Sequence, residues 1–181
     1  MNPKVTSKEE LIEIGKQIVK EEGIGALNIR SLSKRCGIAS GSVYNYFSSK
    51  EGLMLCIVES IWDEIFDFNT LNSKKNTVLL VEAMLNAIES GKKSYPNFIA
   101  IHYLNFNKEN LNQDKNKMLL YFEKIKKLLK SSLLSSNART LGKNIDLNGF
   151  VDILFNLIIS QFFMAIDKKS IIGIVKIFIG E

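Results

Sequence analysis

Residues 40–50 read SGSVYNYFSSK, and their side chains suit reading a surface rather than breaking a bond. The Asn45 amide carries a donor and an acceptor side by side, the pattern that pairs bidentately with adenine in a major groove. The Tyr44 and Tyr46 hydroxyls can reach phosphates from either flank, and Lys50 adds a cation for the backbone. Gly41 and Ser42 are small enough to let backbone N–H groups close on a phosphate. On a helix, at about 100° per residue, Val43 and Phe47 share one side while Gly41, Ser42 and Asn45 fall opposite. One face would then plug a core and the other would meet DNA. The same residues also suit an aromatic corner of an ordinary core, so the surrounding elements must decide.

Those elements are short. Residues 7–22 carry Leu11, Ile14, Ile18 and Val19 on one stripe, with Glu9, Glu10, Lys16 and Lys20 off it. That pattern predicts a helix, which Gly23 and Gly25 terminate. Asn28 is placed to cap a second helix that contains Leu32 and Cys36 and closes at Gly37. Ser40 is placed to cap a third, running to about Phe47. Ser48 and Glu51 have the spacing of a capping box. They open a fourth helix, which carries Leu53, Ile57, Ile61, Ile65 and Phe68 to about Asn69. Two short helices joined by a glycine-containing turn, the second offering small and amide side chains, fit a helix-turn-helix. Arg30, Ser31 and Lys34 lie on its supporting helix, where backbone clamping is expected. From Gly23 to Lys50 there are four cations (Arg30, Lys34, Arg35 and Lys50) and no Asp or Glu. A carboxylate in that window would repel phosphates.

The stretch GIGALNIRSLSKRCGIASGSVYNYFSSKEGL, residues 23–53, resembles the DNA-binding segment of the TetR family, the tetracycline-repressor-like bacterial regulators. The resemblance rests on four features: the glycine-rich end of the first helix, the Leu32 to Gly37-Ile38 pattern, the Gly-Ser-Val-Tyr-Asn-Tyr-Phe helix, and Ser-Lys-Glu-Gly-Leu after it. It covers roughly residues 7–60. It implies an all-helical homodimer with a three-helix head that binds double-stranded DNA. It also implies a larger helical domain that senses a small-molecule effector. Carried onto this chain, the implied DNA contacts are Arg30, Ser31, Ser40, Gly41, Ser42, Tyr44, Asn45, Tyr46 and Lys50. Residues 70–181 match no family pattern, so no effector contact is implied there.

The rest of the chain reads as a helical bundle. LNSKKN (71–76) breaks the pattern, and a helix over about 77–92 carries Val81, Met84, Leu85 and Ile88. Pro96 suits the first turn of a helix holding Phe98, Ile101, His102 and Phe106. Residues 107–117 read as a solvated loop, and Met118, Phe122, Ile125 and Leu129 as the stripe of another helix. A loop over 135–144 and two helices, about 146–167 and 170–179, complete the chain. Sustained alternation is absent, so the expected class is all-α. The expected division is 1–50 and 51–181, with the fourth helix connecting them.

The segment from Ile145 to Ile166 is apolar nearly all round, as in a helix buried on several sides or lying in lipid. Asp146, Asp152, Asn156, Gln161 and Asp167 interrupt the run, so no membrane role is expected. Phe150, Leu154, Leu157, Ile158 and Phe162, with Ile171, Ile174, Val175 and Phe178, are instead expected to meet their copies across a two-fold axis. A ligand cavity is expected among the bundle helices. Its candidate lining is Trp62, Phe66, Met84, Phe98, His102, Tyr103, Phe106, Tyr121, Phe122 and Phe155, although each also reads as plain core.

Enzyme chemistry finds little support. His102 is the only histidine, which excludes a multi-histidine metal site, and Cys36 and Cys56 lack metal-ligand spacing. A phosphate-cradling glycine loop and a GxSxG elbow are both missing, and nothing calls for a cofactor. Two cysteines and a charged N-terminus without an apolar run predict a reduced, cytoplasmic chain. The net charge of +5 is compatible with a polyanionic partner. The function expected is a ligand-responsive DNA-binding regulator, a repressor released from a pseudo-palindromic operator by a small molecule. The rival is a helical small-molecule carrier or membrane-associated protein without DNA function.

Overall fold

The structure is a computed structural model that describes residues 7–96, Phe98, 112–136 (side chains from Leu120), 146–164 and 166–180. Every regular element among them is helical. Contacts gather the chain into two compact units, one drawn from Met1–Glu64 and Lys92–Met118, the other from Ile65–Gly91 and Leu119–Glu181.

In the first unit, α1 (Lys8–Glu22) starts where the Ser7 hydroxyl accepts the Glu10 N–H at 3.0 Å. Glu9 and Glu10 in its first turn suit the positive end of the helix dipole. A 3-10 turn (Ile24–Ala26) leads to α2 (Ile29–Cys36), then α3 (Ser40–Val43) and α4 (Lys50–Ile65). Leu11, Ile18, Val19, Leu27, Leu32, Val43, Phe47, Leu53 and Ile57 are buried and form the core of this head. Gly15 shows how closely α1 approaches α4: a Cβ there would lie 2.2 Å from Ile57 Cδ1.

A polar link ties three parts of this unit together. Lys16 of α1 sits 2.7 Å from Glu64, in the last turn of α4, and 3.0 Å from Glu13. The Tyr95 hydroxyl donates to Glu64 at 2.8 Å, and the Lys20 ammonium lies 6.0 Å from the Tyr95 ring centre. Burial pushes the Glu64 carboxyl up, but the hydrogen bonds from Lys16 and Tyr95 outweigh it and hold the group below its ordinary range. Burial lowers Lys16, and its two carboxylate partners raise it further than burial lowers it. Burial, and then Glu64, push the Tyr95 phenol strongly upward.

The second unit contains α5 (Phe68–Asn72), most of α6 (Thr77–Ser94), α7 (Asn112–Ser135) from Leu119 onward, α8 (Leu147–Ser160) and α9 (Lys168–Ile179). Asp67, Asp146 and Asp167 cap α5, α8 and α9 through their carboxylates. Thr77, fully buried, shares its hydroxyl with Ser132 at 3.0 Å and Ser136 at 2.7 Å, which ties the start of α6 to the end of α7. Among the described residues no helix is long and apolar enough to cross a membrane.

Several element boundaries differ from the sequence expectation. The predicted helix to Asn69 stops at Ile65, because Asp67 turns outward to accept the Asn69 N–H at 3.0 Å and start α5. Residues 112–117, predicted as loop, already belong to α7. The helix expected to reach about 167 ends at Ser160, where Gln161 turns back and donates to the Ile166 carbonyl at 2.9 Å. The helix expected through His102 and Phe106, and the loop expected after Ser136, lie outside the described residues.

Candidate nucleic-acid interface

The interface is built on α2. The Asn28 side chain accepts the Ser31 N–H at 2.9 Å, and the Ser31 hydroxyl accepts the Asn28 N–H at 3.0 Å. This reciprocal box fixes the start of the helix. The Ser31 hydroxyl also donates to the Ala26 carbonyl at 2.7 Å. At the other end Gly37 takes the left-handed conformation, φ 68°. Its N–H bonds to Lys34 O at 3.2 Å, and the Ile38 N–H to Ser33 O at 3.1 Å. This two-bond closure turns the chain sharply into α3. Ser33, 4% exposed, then meets the Ser40 hydroxyl at 2.9 Å and sets one helix against the other.

Ser40 was expected to cap the third helix. Ala39 occupies the cap position instead, and Ser40 is the first helical residue, its hydroxyl engaged with Ser33. The α-helix proper ends at Val43 rather than Phe47. Beyond it the N–H groups of Tyr44, Asn45 and Tyr46 bond to Gly41, Ser42 and Val43 at 3.2, 3.3 and 3.0 Å, a tightened three-residue spacing. The expected division of faces nevertheless holds: Val43 and Phe47 are 0% and 3% exposed, while Tyr44 and Tyr46 are 53% and 36% exposed. Gly41 and Asn45 are exposed as well, and Ser42 is half-buried. Nothing lies within 4 Å of the Cβ position at Gly41, so the backbone there is open to close approach.

Arg30, Lys34 and Lys50 are exposed around this strip. The fourth helix is capped by Ser49 rather than Ser48: the Ser49 hydroxyl accepts the Gly52 N–H at 2.9 Å. Lys50 therefore stands at the first helical position, beside N–H groups that favour an anion. Arg35 behaves differently from the other cations of its window. Its two terminal nitrogens hold Glu21 at 2.5 Å and Glu22 at 2.8 Å, at the end of α1. Local sequence reading missed this clamp because the partners lie 13–14 positions upstream, beyond any helical spacing. The Lys16–Glu64–Tyr95 link was missed for the same reason.

The candidate ligand-lining residues fall in both units. Trp62 and Phe98 pack in the first, ring centres 6.0 Å apart. Phe66, Met84, Tyr121 and Phe155 are buried in the second, where Phe122 and Phe155 lie 5.3 Å apart. His102, Tyr103 and Phe106 lie outside the described residues.

The residues expected at a two-fold surface divide by burial. Phe150, Leu154, Ile158, Ile171, Val175 and Phe178 are buried inside their own unit, with the Phe150 and Phe178 rings stacked at 3.5 Å. Leu157 and Phe162 are half-buried, and Ile174 is exposed together with Ile153, Phe163, Met164 and Ile177.

Residues 11–57 match the family described as bacterial regulatory proteins, tetR family. The HTH-type transcriptional repressor KstR2 of Rhodococcus jostii (strain RHA1) is 29% identical over 89 residues, covering 46% of this chain and 44% of that protein. The chain thus aligns with less than half the length of that curated relative. Among solved structures, a transcriptional regulator from Rhodococcus sp. Rha1 superimposes with TM-score 0.70 at 15% identity, covering 97% of this chain and 95% of the other. FadR from Bacillus subtilis, in complex with stearoyl-CoA, superimposes with TM-score 0.60 at 16% identity, covering 96% of each chain. At these identities the two structures establish a shared fold.

Proposed function

We propose that the chain, whose residues 11–57 match the tetR family of bacterial regulatory proteins, is a ligand-responsive transcriptional regulator. In this reading it binds a pseudo-palindromic operator in the cytoplasm as a homodimer and leaves it when a small molecule binds. The observation that carries the reading is the division of residues 40–47. Val43 and Phe47 are locked inside, while Gly41, Tyr44, Asn45 and Tyr46 stay in solvent. Asn45 reads an adenine, the tyrosines flank it, and Arg30, Lys34 and Lys50 hold phosphates. Two copies would offer two such strips to half-sites about 34–36 Å apart. Exposed Ile153, Ile174 and Ile177 on α8 and α9 support a contact between copies.

The stearoyl-CoA complex of FadR supports a small-molecule effector for a chain of this fold without identifying it. The Lys16–Glu64–Tyr95 link supports the coupling. A shift at the far end of α4, or of the chain after α6, pulls on α1 within the same unit. A differential affinity of about 1–3 kcal/mol between the bound and released states is enough for switching.

The test is selection from randomised duplexes followed by anisotropy titration. A palindromic consensus should emerge, bound about 10³-fold or more tighter than unrelated DNA at physiological salt. Absence of any enriched sequence would leave the carrier reading in possession.

A further inference from the structure

A glycine inside a helix costs roughly 1 kcal/mol relative to alanine, so each one asks for a reason. Internal packing explains Gly15, and it explains Gly91, where a Cβ would lie 2.9 Å from Ile65 Cγ1. Gly52 abuts the Ser49 cap at 3.4 Å. Gly41 is open toward the proposed DNA. Gly173, in the middle of α9, is also open: nothing lies within 4 Å of its Cβ position. It faces a groove of about 470 Å³ between α6 and α9, with Leu85 and Ile172 as its apolar walls. That volume falls within the range of small-molecule sites.

The charges lining this groove do not cancel. Lys168 is held by Asn86 at 3.0 Å and by Glu89. Lys169 and Lys176 make no side-chain ion pair among the described residues, and Glu82 is the one carboxylate lining the groove. Two cations against one carboxylate leave one net positive charge. Lys169 and Lys176 lie two turns apart on α9, about 10.5 Å along its axis, with Ile172 and Gly173 between them. At about 100° per residue, the exposed Ile177 lies about 40° and Ile174 about 100° from Gly173, so the apolar stripe they form runs beside the groove, whose lining does not include them. A second copy docking groove to groove would set lysine against lysine.

We propose that the groove between α6 and α9 binds a small amphiphilic carboxylate, its charge on Lys169 and Lys176 and its apolar body over Gly173 against Leu85 and Ile172. The site is independent of the DNA-binding reading. Its test is a titration of the ¹⁵N-labelled full chain with octanoate, with octanol as the uncharged control. Saturable shifts should appear at the amides of Leu85, Ile172 and Gly173, and octanol should bind at least tenfold more weakly. The double variant Lys169→Gln/Lys176→Gln should also lose at least tenfold. Gly173→Leu should abolish binding while raising the thermal midpoint, because it fills an open face and improves helix propensity. Shifts that map elsewhere, octanol binding as tightly as octanoate, or undiminished binding by the double variant would each overturn the assignment.

Discussion

Separate alanine replacements of Phe47 and Asn45 should split stability from recognition. Phe47 is 3% exposed, and Lys8 lies 5.6 Å from its ring centre. Phe47→Ala therefore removes a buried ring from the core of the head, at a cost of about 3–5 kcal/mol. Whole domains are stable by only about 5–15 kcal/mol, so a large share of the head's stability would go. Asn45 sits on the opposite face, about 200° round from Phe47. Its side chain is exposed, and only its backbone N–H is engaged, with Ser42 O at 3.3 Å. Asn45→Ala should leave stability within about 0.5 kcal/mol of the parent. On cognate DNA it should lose about 1–3 kcal/mol, roughly 5- to 150-fold in Kd. Urea unfolding followed by circular dichroism measures the first quantity. Anisotropy titration against duplexes altered one base pair at a time measures the second. Asn45→Ala should lose discrimination at one position per half-site, whereas Phe47→Ala should lose binding to every duplex as the head unfolds. If Asn45→Ala destabilises the fold by more than about 1 kcal/mol, or Phe47→Ala leaves it intact, the two-faced rod is the wrong description.

Three further outcomes follow from the same geometry. Lys50→Ala should weaken all duplexes alike and reduce the salt slope of binding by about 1, and weakening confined to one sequence would contradict a phosphate role. Replacing Glu21 and Glu22 together by glutamine releases Arg35 and should steepen that slope by about 0.9 per added phosphate contact, most visibly on non-cognate DNA. An unchanged slope would mean that Arg35 cannot reach the backbone. The Glu64–Lys16 pair sets a pH window. Glu64 is held below its ordinary 4.5, so its contribution is complete above that value and is lost as pH falls through the lowered one. Lys16 is held above its ordinary 10.5, so its share is complete below that value and fades as pH rises through the raised one. In acid unfolding Glu64→Gln should flatten the limb below pH 4.5, and an unaltered acid limb would show that the pair contributes nothing.

Local signals made the head legible. Asn28, Gly37 and the spacing of Val43 and Phe47 each act within a few residues, and each did in the structure what its chemistry suggested. Where Ser48 and Ser49 offered the same chemistry, the cap fell one position away, and at the third helix Ala39 takes the cap position because the Ser40 hydroxyl is engaged with Ser33. The second unit was less legible. A helix apolar all round gives no phase, so sequence alone could not say which flank of α8 and α9 faces its own core. Phe150 and Phe178 stack inward, and Ile153 and Ile177 remain outside.

The serines of the head show why residue type alone overcounts a binding surface. Ser31, Ser33 and Ser40 all carry hydroxyls suited to phosphates, yet Ser31 closes the start of α2, and Ser33 and Ser40 bond to one another. Any DNA contact through Ser31 or Ser40 must share a hydroxyl that already has a partner, which weakens it and restricts its geometry. Arg35 is engaged in the same way by Glu21 and Glu22. Among the described residues of this strip, the open backbone at Gly41, the exposed Tyr44 hydroxyl, the Asn45 amide, and the cations Arg30, Lys34 and Lys50 keep their recognition chemistry intact. If the proposed reading holds, base selectivity on this surface should therefore concentrate on Asn45, with its neighbours setting where that amide is held.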